Sequence, residues 1–320
     1  MRRADVLRRK VEDIDLDRVD GLEDLVGHMG RGGGFTAKKI ADAVDILRTM
    51  FRRRGCVTFL SFPAALMATG VRGVLRGLVE RRLVDVVITT CGTADHDLAR
   101  VWQPYYHGDF EMDDVALHRL GVNRLGNVLV PNESYGVVLE KRLRPMLADL
   151  WRTGKRSLTT KELLWELGSR TASRSSLLWW AWKNRVPVYV PAITDGAVGY
   201  QLWAFWQEHK DFRIDIFRDE SELADLVFGA KESGALMIGG GVSKHHTIWW
   251  NQFRGGLDYA VYITTAPEWD GSLSGARVRE GISWGKVKET ARQVTVEGDA
   301  SALLPLMVGA AVGRPTRRRK

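Results

Sequence analysis

The chain has 320 residues, 45% of them hydrophobic, which is enough for one large α/β domain or two small ones. No apolar run approaches the roughly 18–20 residues of a membrane span, and the basic first ten residues lead into an acidic stretch and not an apolar signal core, so a cytoplasmic protein without membrane contact is expected. The net charge of +8 is spread out apart from Arg52-Arg53-Arg54 and the tail 317–320, and no nucleic-acid motif accompanies it; an acidic protein partner fits it at least as well as nucleic acid.

Residues 1–34 are charged and then glycine-rich, and read as an N-terminal arm with one short helix and a flexible turn at Gly32-Gly33-Gly34. Thr36 is placed to cap a helix whose stripe is Ile40, Val44, Ile46, Leu47 and Phe51. A buried strand at 57–60, a helix at 64–82 and a β-branched strand at 84–90 follow. Strand, helix, strand with short turns predicts right-handed parallel crossovers, with ligands beyond the carboxyl ends of the strands. Two loops fall there, 61–65 and 90–95, and neither carries a full G-x-G-x-x-G. Residues 102–135 read as short elements and loops with an acidic patch at Asp109, Glu111, Asp113 and Asp114. Helices are expected at 133–150, from Thr159-Thr160-Lys161-Glu162 onward, and at 175–184, where Trp179, Trp180 and Trp182 suit a core or a subunit interface.

The alternation then resumes. Strands are expected at 186–191, 213–217, 235–238, 257–263 and 293–296. Helices are expected at 196–209, from a cap at Asp219 to 233, at 244–254, and after a cap at Asp299 or Ser301. Seven or eight strands separated by helices predict one doubly wound, mostly parallel sheet, a Rossmann-like α/β fold with a helical insertion, over 35–312, followed by a basic disordered tail at 313–320. Cys56 and Cys91 fit no zinc spacing and read as reduced thiols; no metal is expected.

Gly239-Gly240-Gly241 lies between a strand and a helix, where bare backbone serves either a tight turn or a pyrophosphate at the helix N-terminus. His245-His246 opens that helix, whose dipole disfavours an imidazolium; one core and one surface histidine is the plainer alternative. Asp195, at a strand end, could accept ribose hydroxyls or cap the next helix. Lys286 stands between Trp284-Gly285 and Val287: either a surface lysine beside a packed indole, or an amine stripped of solvent, in which form it can attack a carbonyl or imine. Glu280 and Trp284 could receive a cationic aliphatic ligand, a carboxylate for the ammonium and an indole face for the methylenes.

The segment Ser274-Gly275-Ala276-Arg277, Glu280, Ser283-Trp284-Gly285-Lys286 resembles the active-site segment of the deoxyhypusine synthase family. Thr194-Asp195-Gly196, the run from Gly239 to His246 and the run from Gly126 to Tyr135 are similar to the same family, in order, from about Gly30 to about Val312. The resemblance implies an NAD-dependent transfer of the aminobutyl group of spermidine, through an imine on Lys286, to a lysine of translation initiation factor 5A. It implies His245 as proton carrier, Glu280 and Trp284 as polyamine contacts, and a homotetramer built as a dimer of dimers. It implies an NAD site drawn from Thr90, Cys91, Gly92, Asp95, Asp195, Gly239, Gly240, Gly241, Thr265, Ala266, Asp270, Ser274, Asp299 and Ala300. Tyr200 and Leu273 stand where relatives carry aspartates, and Trp249 where they carry an asparagine near the substrate. These departures leave the amine open between spermidine and agmatine, and the acceptor open between a protein lysine and a small amine; a non-catalytic NAD-binding protein is the reading of another class.

Overall fold

The computed structural model describes residues 2–313. The expected basic tail, from residue 314 on, lies outside them. Six parallel strands form the central sheet, in the order Val287–Glu297, Leu257–Thr264, Glu232–Ile238, Cys56–Phe62, Val86–Thr89, Val188–Tyr189. The chain builds outward from Cys56–Phe62 in one direction, then returns to its other side with Glu232–Ile238. That reversal is the switch point where such sheets open a ligand crevice.

The strands are apolar on both faces because both faces are covered. Leu60, Phe62, Val87, Leu236, Ile238, Val261 and Ile263 point into one core cluster; Phe59, Val86, Ile88, Ala235, Met237, Ala260 and Tyr262 point into the other. Helices cover the first face. The second is covered by the Ile216–Gly229 and Gly241–Gln252 helices and by an irregular crossover, residues 265–286, through Leu273, Val278 and Ile282. That crossover holds only a 3₁₀ turn, Glu268–Asp270, and one helical turn, Glu280–Ser283. Cavities form beside it because no continuous helix fills the space between strands.

The fold class is as expected, and several details are not. The central sheet is shorter than seven strands because the expected strand at 213–217 shrinks to Arg213–Ile214, which pairs with Ser157–Leu158 apart from it. Asp219 is not a cap: Asp215 accepts from Arg218 N at 3.1 Å, and Asp219 lies buried inside the Ile216–Gly229 helix, accepting from Thr160 N at 2.7 Å. Thr36 does not cap either, since Gly34 at φ 72° turns the chain into the Phe35–Arg52 helix. The expected 64–82 helix breaks into a 3₁₀ segment, Ala64–Ala68, and a helix, Arg72–Glu80. Residues 90–95 are not a loop but open the helix Cys91–Trp102. By contrast, Thr159 and Glu162 form the reciprocal capping box their spacing predicts.

The arm contains more helix than expected: Arg3–Val6, a 3₁₀ turn and Leu22–Gly32, which packs against the Phe35–Arg52 and Ala300–Val312 helices. Asp97, fully buried, joins three helices. It accepts from Arg72 Nε at 2.8 Å, Ser176 Oγ at 2.6 Å, and Leu177 N and Leu178 N at 3.0 Å each. Asp97→Ala strands a buried guanidinium and uncaps the Leu177–Asn184 helix. The expected loss is about 3–5 kcal/mol in urea unfolding; a loss under about 1 kcal/mol would refute this account.

Candidate active site

Two cavities lie along the crossover. The first, at the switch point, has a volume of about 190 Å³ and is lined by Pro63, Gly239, Thr265, Ala266, Ser274, Asp299 and Ala300 among others. It therefore gathers six of the residues expected at a cofactor. The glycine run beside it is accounted for position by position. Gly239 and Gly241 adopt φ of 63° and 70°. Gly240 admits the close passage of the crossover, for a Cβ there would stand 2.2 Å from Ser274 Oγ and 2.6 Å from Ser274 N. Gly240→Ala must push that segment outward, at a cost of about 1–3 kcal/mol read as a lowered Tm; an unchanged Tm would show the segment to be loosely held. No side chain caps the N-terminus of the Gly241–Gln252 helix, and a Cβ on Gly241 would meet nothing within 4 Å.

The other expected cofactor residues do not line this cavity. Thr90 Oγ1 accepts from Ala64 N at 3.2 Å, and Gly92 packs against Ala64, where a Cβ would come within 2.8 Å. Cys91 and Asp95 are fully buried. Asp95 accepts from Val198 N at 2.7 Å, Ala197 N at 2.8 Å and Tyr135 hydroxyl at 2.8 Å, capping the Ala197–Glu208 helix from a distance. Burial pushes the Cys91 thiol up to about 12. Neither side chain lines the switch-point cavity. Asp270 accepts from Ser272 N and Oγ at 2.8 and 2.9 Å and shapes its own turn, and Asp195 is exposed past the edge strand.

The second cavity, of about 180 Å³, is lined by Lys286, Trp284, Glu280, Lys244, Leu273 and Ile248 among others. Gly285, at φ 68°, turns the chain so that Lys286 points inward. Lys286 N donates to Gly281 O at 2.9 Å and its carbonyl accepts from Leu257 N at 3.1 Å, so both backbone groups are fixed. The side chain is only 9% exposed, with Nζ 5.6 Å from the Trp249 ring and 5.2 Å from the Trp284 ring. Two indole faces hold the ammonium end while most of the stem is out of water. Trp249, standing where relatives carry an asparagine according to the resemblance, thus presents its ring to the lysine's amine.

His245 stacks on Trp249 with centroids 5.6 Å apart. Its pKa is lowered by loss of hydration first, then by the Lys286 and His246 charges. The imidazole is therefore neutral at pH 7, as the sequence suggests, but burial and neighbouring cations are the causes and not the helix dipole alone. His246 turns the other way: Nε2 lies 3.1 Å from Glu220 Oε2, which also accepts from Trp250 Nε1 at 2.7 Å. The pair thus divides into one histidine facing the lysine cleft and one braced in the protein body. Glu280 is exposed at the cleft's rim. Tyr200, expected at the amine, does not line the cleft; it is 59% exposed on the Ala197–Glu208 helix, 5.6 Å from the Trp203 ring.

Sequence reasoning missed Lys244. The buried residues of its helix are Ser243, Lys244, Thr247, Ile248 and Asn251, one stripe at helical spacing, and the lysine lies in the middle of it.

These features define an open, parallel-sheet α/β enzyme with a switch-point crevice and a lysine held between indoles. The chain belongs to the deoxyhypusine synthase family, transferases whose family model matches residues 24–311. A Picrophilus torridus protein named "Probable deoxyhypusine synthase" is 53% identical over 308 residues, 96% of this chain and 98% of that one. One of the same name from Thermoplasma acidophilum is 51% identical over 96% of this chain and 99% of its own length. A solved structure from Entamoeba histolytica, provisionally named deoxyhypusine synthase, superposes with a TM-score of 0.64 at 21% identity, covering 94% of this chain and 96% of that one; it speaks for the fold. Among the described residues no helix is long and apolar enough to cross a membrane.

Proposed function

We propose that this enzyme moves the aminobutyl group of spermidine through an imine on Lys286 to a lysine of translation initiation factor 5A. The observation that supports it best is Lys286 itself, nearly buried between Trp249 and Trp284 with His245 and Glu280 at hand. The chemistry of the switch-point cavity fits an NAD site: Thr265, Ser274 and Asp299 line it with hydroxyls and a carboxylate, and its Gly239 leads into the helix N-terminus at Gly241, which no side chain caps. When bound, NAD supplies the hydride acceptor for the carbon next to the secondary amine and later returns that hydride.

This chain's own residues do the rest. Lys286 Nζ takes the four-carbon fragment as an imine while 1,3-diaminopropane leaves, and gives it up when the acceptor lysine displaces it. Neutral His245 takes a proton from the reacting amine and returns it. Glu280 pairs with the free ammonium, and the two indoles cover the methylenes and exclude water. The enzyme works in the cytoplasm as a homotetramer, and the exposed aromatics of the Ala197–Glu208 helix, Tyr200, Trp203 and Trp206, suit a surface covered by a second copy.

One observation favours a second donor. Glu280 is the one carboxylate lining the lysine cleft among the described residues, with Leu273 beside it. A donor whose far end needs less carboxylate, such as agmatine, fits that lining. Intact-mass analysis of factor 5A after incubation with the enzyme and NAD separates the cases, with spermidine and agmatine in separate tubes. An aminobutyl adduct from spermidine is the expected result. An adduct from agmatine alone keeps the chemistry and changes the donor. Diaminopropane release without an adduct indicates a small-molecule acceptor, and neither product would sink the enzymatic reading.

A further inference from the structure

Lys244 is a buried cation in this region for which the mechanism above has no use. It is 2% exposed, on the helix that carries His245, and lines the same cleft as Lys286. Its Nζ donates to Leu273 O at 2.8 Å and to Ala276 O at 2.6 Å, and lies 3.6 Å from the centre of the Tyr262 ring. The residues it grips form the partition of the site: Leu273 lines the lysine cleft and its neighbour Ser274 lines the switch-point cavity. The same segment is held from the sheet, where Tyr262 hydroxyl and Thr264 Oγ1 donate to Ser274 O at 2.7 and 2.9 Å. Three of the four carbonyls from 273 to 276, those of Leu273, Ser274 and Ala276, are thus fastened by side chains from a strand and a helix, in a stretch with no regular hydrogen-bond ladder of its own.

We propose that Lys244 is a positioning residue, which fastens the 273–276 partition to the His245 helix and thereby sets the spacing between the two cavities and the seat of Glu280 and Lys286. This rests on the reading of Lys286 as the imine-forming lysine. The partition is the only covalent route from the switch-point strand end to Glu280, Trp284 and Lys286, since the crossover runs from residue 265 to 286 without another return to the sheet. A shift of that segment pulls first on Glu280, four residues on, and through the Glu280–Ser283 turn on the Gly281 carbonyl that holds Lys286 N. Burial lowers the lysine's pKa to about 7 against the pull of Glu280, with Arg277 adding to the fall. Either protonation state suffices, because an ammonium carries three N–H donors and an amine two, and two carbonyls must be served.

The test compares Lys244→Met, which keeps the apolar stem and removes every donor, with Lys244→Gln, which restores an NH₂ that can serve both carbonyls. The rate of borohydride-trapped adduct formation on Lys286, with NAD and spermidine, should fall about 10- to 100-fold in Lys244→Met and recover substantially in Lys244→Gln. The Ser274–Ala276 amides should exchange faster in the Met variant while the Gly241–Gln252 helix keeps its protection. Wild-type rates in Lys244→Met, or equal losses in both variants, would overturn the proposal. Should neither variant fold, amide exchange on the wild-type chain decides: Ser274–Ala276 exchanging as freely as an unstructured peptide beside a protected helix would also overturn it. No adduct on Lys286 in the wild-type enzyme, with 274–276 protected, would defeat the reading of Lys286 and leave the fastening in place.

Discussion

Lys286→Arg is expected to abolish aminobutyl transfer, by roughly 10³-fold or more, while the fold and NAD binding persist. The reason is chemical before it is steric. Imine formation needs a neutral nitrogen with a free lone pair, and a guanidinium in a protein does not deprotonate. The seat tolerates the new cation: two indole faces at 5.6 and 5.2 Å receive a guanidinium as readily as an ammonium. The backbone groups of residue 286, bonded to Gly281 and Leu257, are untouched. The variant should therefore melt within a few degrees of wild type, retain NAD in equilibrium dialysis, and yield no borohydride-trapped adduct and no modified factor 5A. Transfer at even a tenth of the wild-type rate would remove Lys286 from the covalent role, and the search for a nucleophile would move to Lys244 in the same cleft.

The sheet was legible in the chain because its strands are buried on both faces and separated by amphipathic stretches, a pattern that period and turn residues expose directly. Edge elements were less so. Val188–Tyr189 and Arg213–Ile214 pair over two residues each, too short for a pattern to fix their ends. The Cys91–Trp102 helix was hidden by its own beginning: Thr90, Gly92 and Thr93 are weak helix formers, and only packing of Gly92 on Ala64 and the buried Asp95 explain a helix there. The motif residues Glu280, Trp284 and Lys286 were visible because they are close in sequence. What no linear pattern showed is that residues 265–286 cross the sheet without a helix, so that Leu273 and Ser274 face different cavities. Nor did any linear pattern show the partners of Asp95, since Tyr135, Ala197 and Val198 are 40 residues or more away along the chain.

Trp249 shows how one such departure from the family pattern changes the surroundings of Lys286. In place of a hydrogen-bonding asparagine the helix presents an indole that touches both His245 and Lys286. Lys286 and the neutral His245 thus share one ring as neighbour. On the proposed reading, the exchange takes an amide away from the donor and adds apolar cover, which favours long methylene segments over closely spaced charges.

His245→Gln is the second large expected effect. A positioned proton carrier contributes about 10² to 10⁴ in rate, and His245 is the one histidine facing the lysine cleft, since His246 is held by Glu220. The loss should fall on kcat more than on the KM for the amine, because Glu280, Trp249 and Trp284 remain. The pH profile gives the sharper reading. The His245 pKa lies below the ordinary value of 6.5, driven down by burial and by the Lys286 charge. The neutral imidazole is the working form, so activity should hold as pH falls from 8 to 6.5 and decline only below that, as the ring takes a proton. Removing the positive charge at position 286 should let the His245 pKa rise, which an NMR titration of Lys286→Met can follow through the His245 ring signals. An acid limb above pH 7 in the wild-type enzyme, or an unchanged limb in His245→Gln, would assign that proton to another group.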